Sequence, residues 1–100
     1  MKVNVQAVNF DVDRKLINFT QERLDKLEKF YDRIISADVY LKLENSSDKE
    51  NKTAEVKINV PGDEFIVKKT AKLFEEALDL AAESLERVVK KHKEKQRAHV

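Results

Sequence analysis

The chain has 100 residues, which is enough for one hydrophobic core and too few for two. Hydrophobic residues make up 41% and charged residues 39%, so we expect one folded, soluble domain over residues 1–100 with a strongly ionic surface. The formal net charge is +1, which excludes a uniformly basic or uniformly acidic protein. Any function driven by charge must therefore depend on where the charges lie.

Single residue types exclude several classes of site. Cysteine is absent, so disulfides and thiolate sites are excluded. Gly62 is the only glycine, whereas the loops that bind nucleotide phosphates need several. The longest apolar runs span three residues, so we expect neither a membrane span nor a signal peptide. We predict a cytoplasmic protein without a cofactor.

The first half of the chain alternates between strand and helix periodicity. Residues 2–8 alternate with period two, which predicts a strand. From the capping residue Asp13, apolar side chains recur every three or four residues, which predicts a helix to about Arg33. Its apolar stripe comprises Leu16, Thr20, Leu24, Leu27 and Tyr31. Alternation over residues 37–44 then predicts a second strand.

The second half predicts two more strands and a long helix. Residues 45–52 contain no apolar side chain and are predicted to form a solvated hairpin loop. A third strand over residues 54–60 ends at the turn Pro61-Gly62, and Phe65 and Val67 continue inward on a fourth. Residues 72–96 are predicted to form an amphipathic helix. Its apolar stripe comprises Phe74, Ala77, Leu78, Ala81, Leu85, Val88, Val89 and His92.

The element order β-α-β-β-β-α predicts an α+β fold. Each helix has one apolar stripe, and the sheet has one apolar face. All three apolar surfaces are buried if both helices pack on that face. We therefore predict a four-stranded mixed sheet with two helices on one side, similar to double-stranded RNA-binding domains. A crossover through the first helix makes the first two strands parallel if they are adjacent, whereas hairpins join the later strands.

The last helix is divided by charge. Residues 72–86 carry one base and five acids, a net charge of −4, whereas residues 87–100 carry six bases and one acid, a net charge of +5. Acids near the start and bases near the end of a helix stabilise it through the helix dipole. That effect decays within one turn and does not account for six bases over about three turns. The basic end is therefore a candidate anion-binding site.

The first helix carries a second basic set. A stripe opposite the apolar one carries Lys15, Lys26, Lys29 and Arg33. Arg23 flanks the edge of the apolar stripe. A solvated surface is the simpler interpretation of this stripe taken alone. If the two helices pack side by side, however, both basic sets reach one surface and form a patch suited to nucleic-acid backbone.

The sequence gives no sign of catalysis or metal binding. His92 and His99 lie seven residues apart without a nearby cysteine or carboxylate at ligand spacing. Because His92 falls on the apolar stripe, we expect a partly buried or stacked imidazole. The serines lack the local pattern of a nucleophile. We therefore do not expect an enzyme.

Three segments resemble the short ribosome hibernation-promoting factors and ribosome-associated translation inhibitors of bacteria. Residues 24–34 (LDKLEKFYDRI) are similar to the family's basic run followed by an aromatic residue and aspartate, and residues 74–81 (FEEALDLA) also match. Residues 90–95 (KKHKEK), preceded by Leu85-Glu86-Arg87, are similar to the family's Lys-Lys-aromatic-Lys-Glu-Lys ending. The sequence departs from the family at His92, where tyrosine is common, at Leu73, where an acid is frequent, and at Val88, where a polar residue is common.

The resemblance implies a factor made in stationary phase or stress that binds the small ribosomal subunit in the decoding channel. There it would overlap messenger RNA and transfer RNA in the A and P sites, and off the ribosome we expect a monomer. The family's RNA-binding positions match Arg23, Lys26, Lys29, Arg87, Lys90, Lys91, Lys93 and Lys95. Further RNA contacts are predicted at Lys15, Arg33, His92 and Arg97. The C-terminal dimerisation domain of the long form is expected to be absent.

Two other functions remain open from the residues alone. A general module for structured RNA would use the same basic surface, although the glycine and Lys-Lys-x-Ala-Lys loop of double-stranded RNA-binding domains is missing. A protein-interaction module would instead pair an exposed edge strand with another chain. Binding of the second kind would resist nuclease and salt.

Overall fold

The structure is a computed structural model that describes residues 1–44 and 51–98, with side chains described as far as Gln96. Its elements are β1 (Lys2–Val8), α1 (Arg14–Asp25), a 3₁₀ turn (Lys26–Lys29), β2 (Ser36–Leu43), β3 (Lys52–Val60), β4 (Asp63–Ala71) and α2 (Phe74–Ala98). The predicted β-α-β-β-β-α order is confirmed. Of the predicted hairpin loop, residues 45–50 lie outside the described residues, and Lys52 begins β3.

The four strands form one mixed sheet in the order β1-β2-β3-β4. β1 and β2 are parallel, as predicted for a pair joined through a helix, and the other two pairs are antiparallel. The register aligns Val5, Val39, Val56 and Val67 in one row across the sheet. Because side chains alternate between the two faces, this row and its neighbours two residues away make one face of the sheet apolar.

Both helices cover the apolar face. Leu24 of α1 and Leu27 of the 3₁₀ turn are buried in one core cluster with inward residues of β2, β3 and β4, and Val3 and Val5 of β1 pack against it. On α2, the buried alanines Ala77, Ala81 and Ala82 allow the helix to approach the sheet closely. The predicted placement of the two helices on one side of the sheet is therefore confirmed. Among the described residues, neither helix combines the length and apolar character needed to cross a membrane.

α1 begins where the sequence predicts and ends earlier than predicted. The Asp13 carboxylate accepts a hydrogen bond from the Leu16 N–H at 2.8 Å, which caps the first turn. The predicted continuation of the helix to Arg33 is wrong, because the chain tightens into the 3₁₀ turn after Asp25. Residues three apart lie directly above one another in a 3₁₀ turn, so the tightening places Leu27 in the core beneath Leu24.

The other face of the sheet carries a polar network centred on Asp38. Its carboxylate accepts hydrogen bonds from the side-chain amides of Asn4 and Asn59, each at 3.2 Å. The Lys57 ammonium lies 3.9 Å from Asp38 and 3.5 Å from Glu64. The pKa of Asp38 lies below its ordinary value. The hydrogen bond from Asn4 contributes most to this lowering, the bond from Asn59 contributes next, and the charge of Lys57 adds to both.

We predict that Asp13→Ala destabilises the protein by about 1 kcal/mol, because the first turn of α1 loses its cap. Urea unfolding followed by circular dichroism measures this change. Asp11→Ala is the matched control, since it removes an exposed carboxylate two residues before the cap. Equal midpoints for the two variants would contradict the capping role of Asp13.

We also predict an acid-dependent loss of stability that requires Asp38. A carboxyl whose pKa is lowered on folding stabilises the folded state at pH values above its ordinary pKa of 3.8, and this stability is lost as the pH falls through the lower folded pKa. Asp38→Asn should therefore flatten the dependence of the unfolding free energy on pH below about pH 4. Asp32→Asn, which removes one carboxyl at an exposed loop position, is the matched control for the change in charge. An unchanged slope in Asp38→Asn would show that these hydrogen bonds do not favour the ionised form.

Candidate nucleic-acid interface

The charges of α2 are separated along its length. The helix has 25 residues and is therefore about 37 Å long. Its first turn carries Glu75 and Glu76, followed by Asp79 and Glu83, whereas the bases begin at Arg87. In a molecule with a longest extent of 50 Å, this arrangement gives the helical layer one acidic and one basic end.

The basic end contains a cleft between α2 and the 3₁₀ turn. Its volume is about 260 Å³, and it is lined by Lys29, Phe30, Lys90, Lys93 and Glu94. The Lys90 ammonium lies 4.4 Å from the centroid of the Phe30 ring, within the range of a cation–π contact, and 2.9 Å from a Glu86 carboxylate oxygen. We name these five lining residues the basic cleft.

A second basic row lies beside the cleft. Arg87, Lys91 and Lys95 are four residues apart and therefore follow one another along the same side of α2. All three are exposed, and the Arg87 guanidinium donates to the Ser84 hydroxyl at 3.3 Å. Since each residue turns a helix by about 100°, this row lies about a quarter-turn from Lys90. The basic end of α2 thus presents cations in two directions.

Four side chains join the basic end of α2 to the rest of the protein. The Tyr31 hydroxyl donates to the Gln96 side-chain oxygen at 3.1 Å. The His92 ring packs edge-on against Tyr31 and Phe65, with centroid separations of 5.4 and 5.2 Å. The predicted stacking of His92 on the apolar side of the helix is confirmed, and its Nε2 is enclosed without a hydrogen-bond partner among the described atoms. An RNA contact by His92 stays a prediction.

The remaining predicted residues are distributed unevenly around the basic cleft. Lys26 is exposed on the 3₁₀ turn, and Arg33 is exposed in the segment before β2. Arg23 is only 20% exposed and forms an ion pair with Asp79 at 2.9 Å, so it joins α1 to α2. The side chain of Arg97 lies outside the described residues.

Lys15 is separated from the other basic residues. It lies in the first turn of α1, about 20 Å along the helix direction from Lys29. There it lines a different groove of about 630 Å³, with four carboxylates and the stacked rings of Phe10 and Phe74. The carboxylates belong to Asp11, Asp13, Glu22 and Glu75. The structure therefore does not bring Lys15 to the basic cleft.

Two residues of this region were missed by the sequence reasoning. Phe30 is not among the predicted site residues, but its ring lies beneath the Lys90 ammonium. Gln96 was assigned to the end of the last helix without a role, but it holds that end to Tyr31. An aromatic residue directly after a lysine-rich turn was the available signal for Phe30, whereas the Gln96 contact spans 65 residues and left no local pattern.

We predict that Tyr31→Phe loosens the basic end of α2 without unfolding the protein. Loss of one partly buried hydrogen bond costs about 1 kcal/mol, so amide hydrogen exchange over residues 93–96 should become several-fold faster. Tyr40→Phe, on the opposite face of the sheet, is the matched control. If both variants exchange at the wild-type rate in this segment, the Tyr31 hydroxyl does not hold the helix end.

Proteins similar to this chain in sequence are ribosome hibernation promoting factors. The factor from Pseudomonas putida is 31% identical over 98 residues, which cover 98% of this chain and 92% of that protein. The factor from Azotobacter vinelandii is 33% identical over 96 residues, which cover 96% and 86%. The factor from Escherichia coli is 29% identical over 99 residues, which cover 99% and 100%.

Two solved structures share the fold. The N-terminal domain of Protein Y from Thermus thermophilus superposes with a TM-score of 0.79 at 22% identity and covers 92% of this chain and 99% of its own. A ribosomal subunit interface protein from Coxiella burnetii superposes with a TM-score of 0.81 at 18% identity and covers 93% and 98%. The family described as "Sigma 54 modulation protein / S30EA ribosomal protein" matches residues 3–97. The chain belongs to this family.

Proposed function

We propose that the protein is a ribosome-associated hibernation factor that inhibits translation in stationary phase or stress. Its family and the names of its relatives support the association with ribosomes. Within this proposal it acts in the cytoplasm and binds the small subunit in the decoding channel, where it overlaps messenger RNA and the A- and P-site transfer RNAs. The observation that carries the proposal is the basic cleft, where Lys29, Lys90 and Lys93 converge from two elements of the fold.

The chemistry of the cleft suits a phosphate backbone. Lysine ammonium groups bind phosphate oxygens without reading base sequence, so affinity comes from charge and shape. Phe30 lies among these lysines and offers a ring edge to a ribose or an unstacked base. Arg87, Lys91 and Lys95 extend the cationic surface around the helix, so a folded RNA can contact it from more than one direction. Lys26, Arg33 and Arg97 are further contacts within this proposal.

Inhibition follows from occupancy and needs no bond to be made or broken. The cations lie on a helix that is packed on a four-stranded sheet and held at its far end by Tyr31 and His92. A rigid body of this kind excludes other ligands from the space it fills. Arg23 contributes through its ion pair with Asp79, which fixes α1 beside α2.

The acidic end of α2 gives the bound protein one orientation. Glu75, Glu76 and Asp79 repel a phosphate backbone, while the bases at the other end attract it. Binding with the helix reversed is therefore disfavoured. A small net charge also limits adhesion to other polyanions in the cell.

We predict that small-subunit binding depends steeply on salt and on the basic end of α2. For about six phosphate contacts, the affinity should fall by about 10³-fold between about 50 and 200 mM salt. Lys90→Glu combined with Lys91→Glu and Lys93→Glu should abolish binding while the circular dichroism spectrum stays native. Cosedimentation with purified small subunits across the salt series measures both effects.

The matched control is the triple variant Lys2→Glu, Lys42→Glu and Lys72→Glu, which changes the net charge equally at positions away from the cleft. It should keep most of the wild-type affinity. Retained binding by the variant with Lys90, Lys91 and Lys93 changed to Glu would place the interface elsewhere. Binding that does not depend on salt would contradict the electrostatic mechanism. Equal competition by free duplex RNA would favour a general structured-RNA module.

A further inference from the structure

β4 forms an open edge of the sheet, as far as residues 1–44 and 51–98 describe it. The Asn59 carbonyl accepts a hydrogen bond from Ile35 on the β2 side, so odd-numbered residues of β3 bond β2 and even-numbered residues bond β4. With Ile58 opposite Phe65, the odd-numbered residues of β4 bond back to β3. Glu64, Ile66 and Lys68 therefore direct their backbone N–H and C=O groups away from the sheet. The Glu64 N–H also donates to the exposed Asp63 carboxylate at 2.8 Å, a bond that pairing with a second strand would replace.

The side chains of β4 follow an antisymmetric charge pattern. The strand begins with the acids Asp63 and Glu64 and reaches the bases Lys68 and Lys69 at the same distance on the other side of Ile66. Ile66 lies on the polar face of the sheet and is 58% exposed. An open strand with acids at one end, bases at the other and an exposed apolar side chain at the centre is complementary to an antiparallel copy of itself.

We propose that β4 pairs with β4 of a second copy of this chain, about a two-fold axis at Ile66, to give a continuous eight-stranded sheet. In this register Glu64 lies opposite Lys68 of the second copy, and Asp63 lies opposite its Lys69. The two Ile66 side chains meet at the axis on the outer face. The sequence analysis instead predicts a monomer off the ribosome, so measurement of the oligomeric state distinguishes the two. The proposed dimer does not depend on ribosome binding.

The charges select one register among those that the backbone allows. Registers that keep the outward N–H and C=O groups paired differ by shifts of two residues. A shift in one direction places Ile66 opposite Glu64, and a shift in the other places it opposite Lys68. In the proposed register Glu64 and Asp63 each face one lysine of the second copy, and the two-fold axis repeats both pairs. Opposite charges that face each other across strands stabilise the pair, whereas like charges destabilise it.

Lysines on an edge strand commonly prevent such pairing, which is the simpler interpretation of Lys68 and Lys69. Edge charges oppose pairing when they face like charges or lose water without gaining a partner. Here the facing residues are Glu64 and Asp63, and the Glu64 side chain is 56% exposed although it also lies 3.5 Å from Lys57. One strand edge is a small contact, so the dimer should be weak and dependent on concentration.

Cross-linking tests the geometry directly. Because the chain has no cysteine, Ile66→Cys introduces one thiol at the axis. Hydrogen-bonded antiparallel residues have Cα atoms about 5.5 Å apart, so a short bifunctional thiol reagent can span the two introduced thiols. Treatment of Ile66→Cys with dibromobimane, which joins thiols a few ångströms apart, should give a covalent dimer. Leu73→Cys is the matched control, since Leu73 is 53% exposed but lies outside the strand, and it should stay largely monomeric.

Charge reversal tests the register. Glu64→Lys should raise the dimer dissociation constant by about tenfold, because symmetry turns two attractive pairs into two repulsive ones. Adding Lys68→Glu to that variant should restore wild-type dimerisation, as measured by sedimentation velocity over a concentration series. A wild-type chain that stays monomeric at millimolar concentration overturns the proposal. Equal cross-linking of the two cysteine variants, or a double variant as weak as Glu64→Lys, also overturns it.

Discussion

A row of four valines, Val5, Val39, Val56 and Val67, crosses the sheet from edge to edge, and its removal from water is the constraint on which the rest of the structure depends. Only one face of the sheet carries such rows, so both helices must pack on it. The buried alanines of α2 let that helix lie close over β3 and β4. The charges of α2 then remain on the sides of the helix that face away from the sheet.

The electrostatic character of the protein follows from that packing. The nearly neutral chain is bipolar because the acids and bases of α2 lie at opposite ends of one long helix whose other face is buried. The α1–α2 contact adds Lys29 and Phe30 to the basic end and uses Arg23 internally, through its bond to Asp79. The same packing therefore decides which cations remain available to a ligand and which stabilise the fold.

Packing of the helices on one face of the sheet leaves its other face and the edge strand β4 uncovered by them. The uncovered face is stabilised by short polar side chains around Asp38, where two amides and a lysine surround one carboxylate. Within residues 1–44 and 51–98, the outward backbone groups of β4 have one recorded side-chain partner, the Asp63 carboxylate, which accepts from the Glu64 N–H at 2.8 Å. The cations proposed to bind RNA lie on α2 and the 3₁₀ turn, whereas the strand proposed to pair with a second copy is β4. The two proposed contacts therefore do not exclude each other.

The sequence alone determined the element order, the inward-facing residues of each strand, the cap at Asp13 and the division of charge along the last helix, because all of these depend on periodicity and near neighbours. It also placed His92 on the apolar side of its helix. Only the tertiary structure decided that α1 stops at Asp25, since Leu27 reaches the core through a tighter turn. Only it decided that Arg23 is bound to Asp79, that Phe30 lies beneath Lys90 and that Lys15 stands apart. These pairings join residues far apart in the chain, so they depend on how two helices meet over the sheet and leave no periodic signal in either helix.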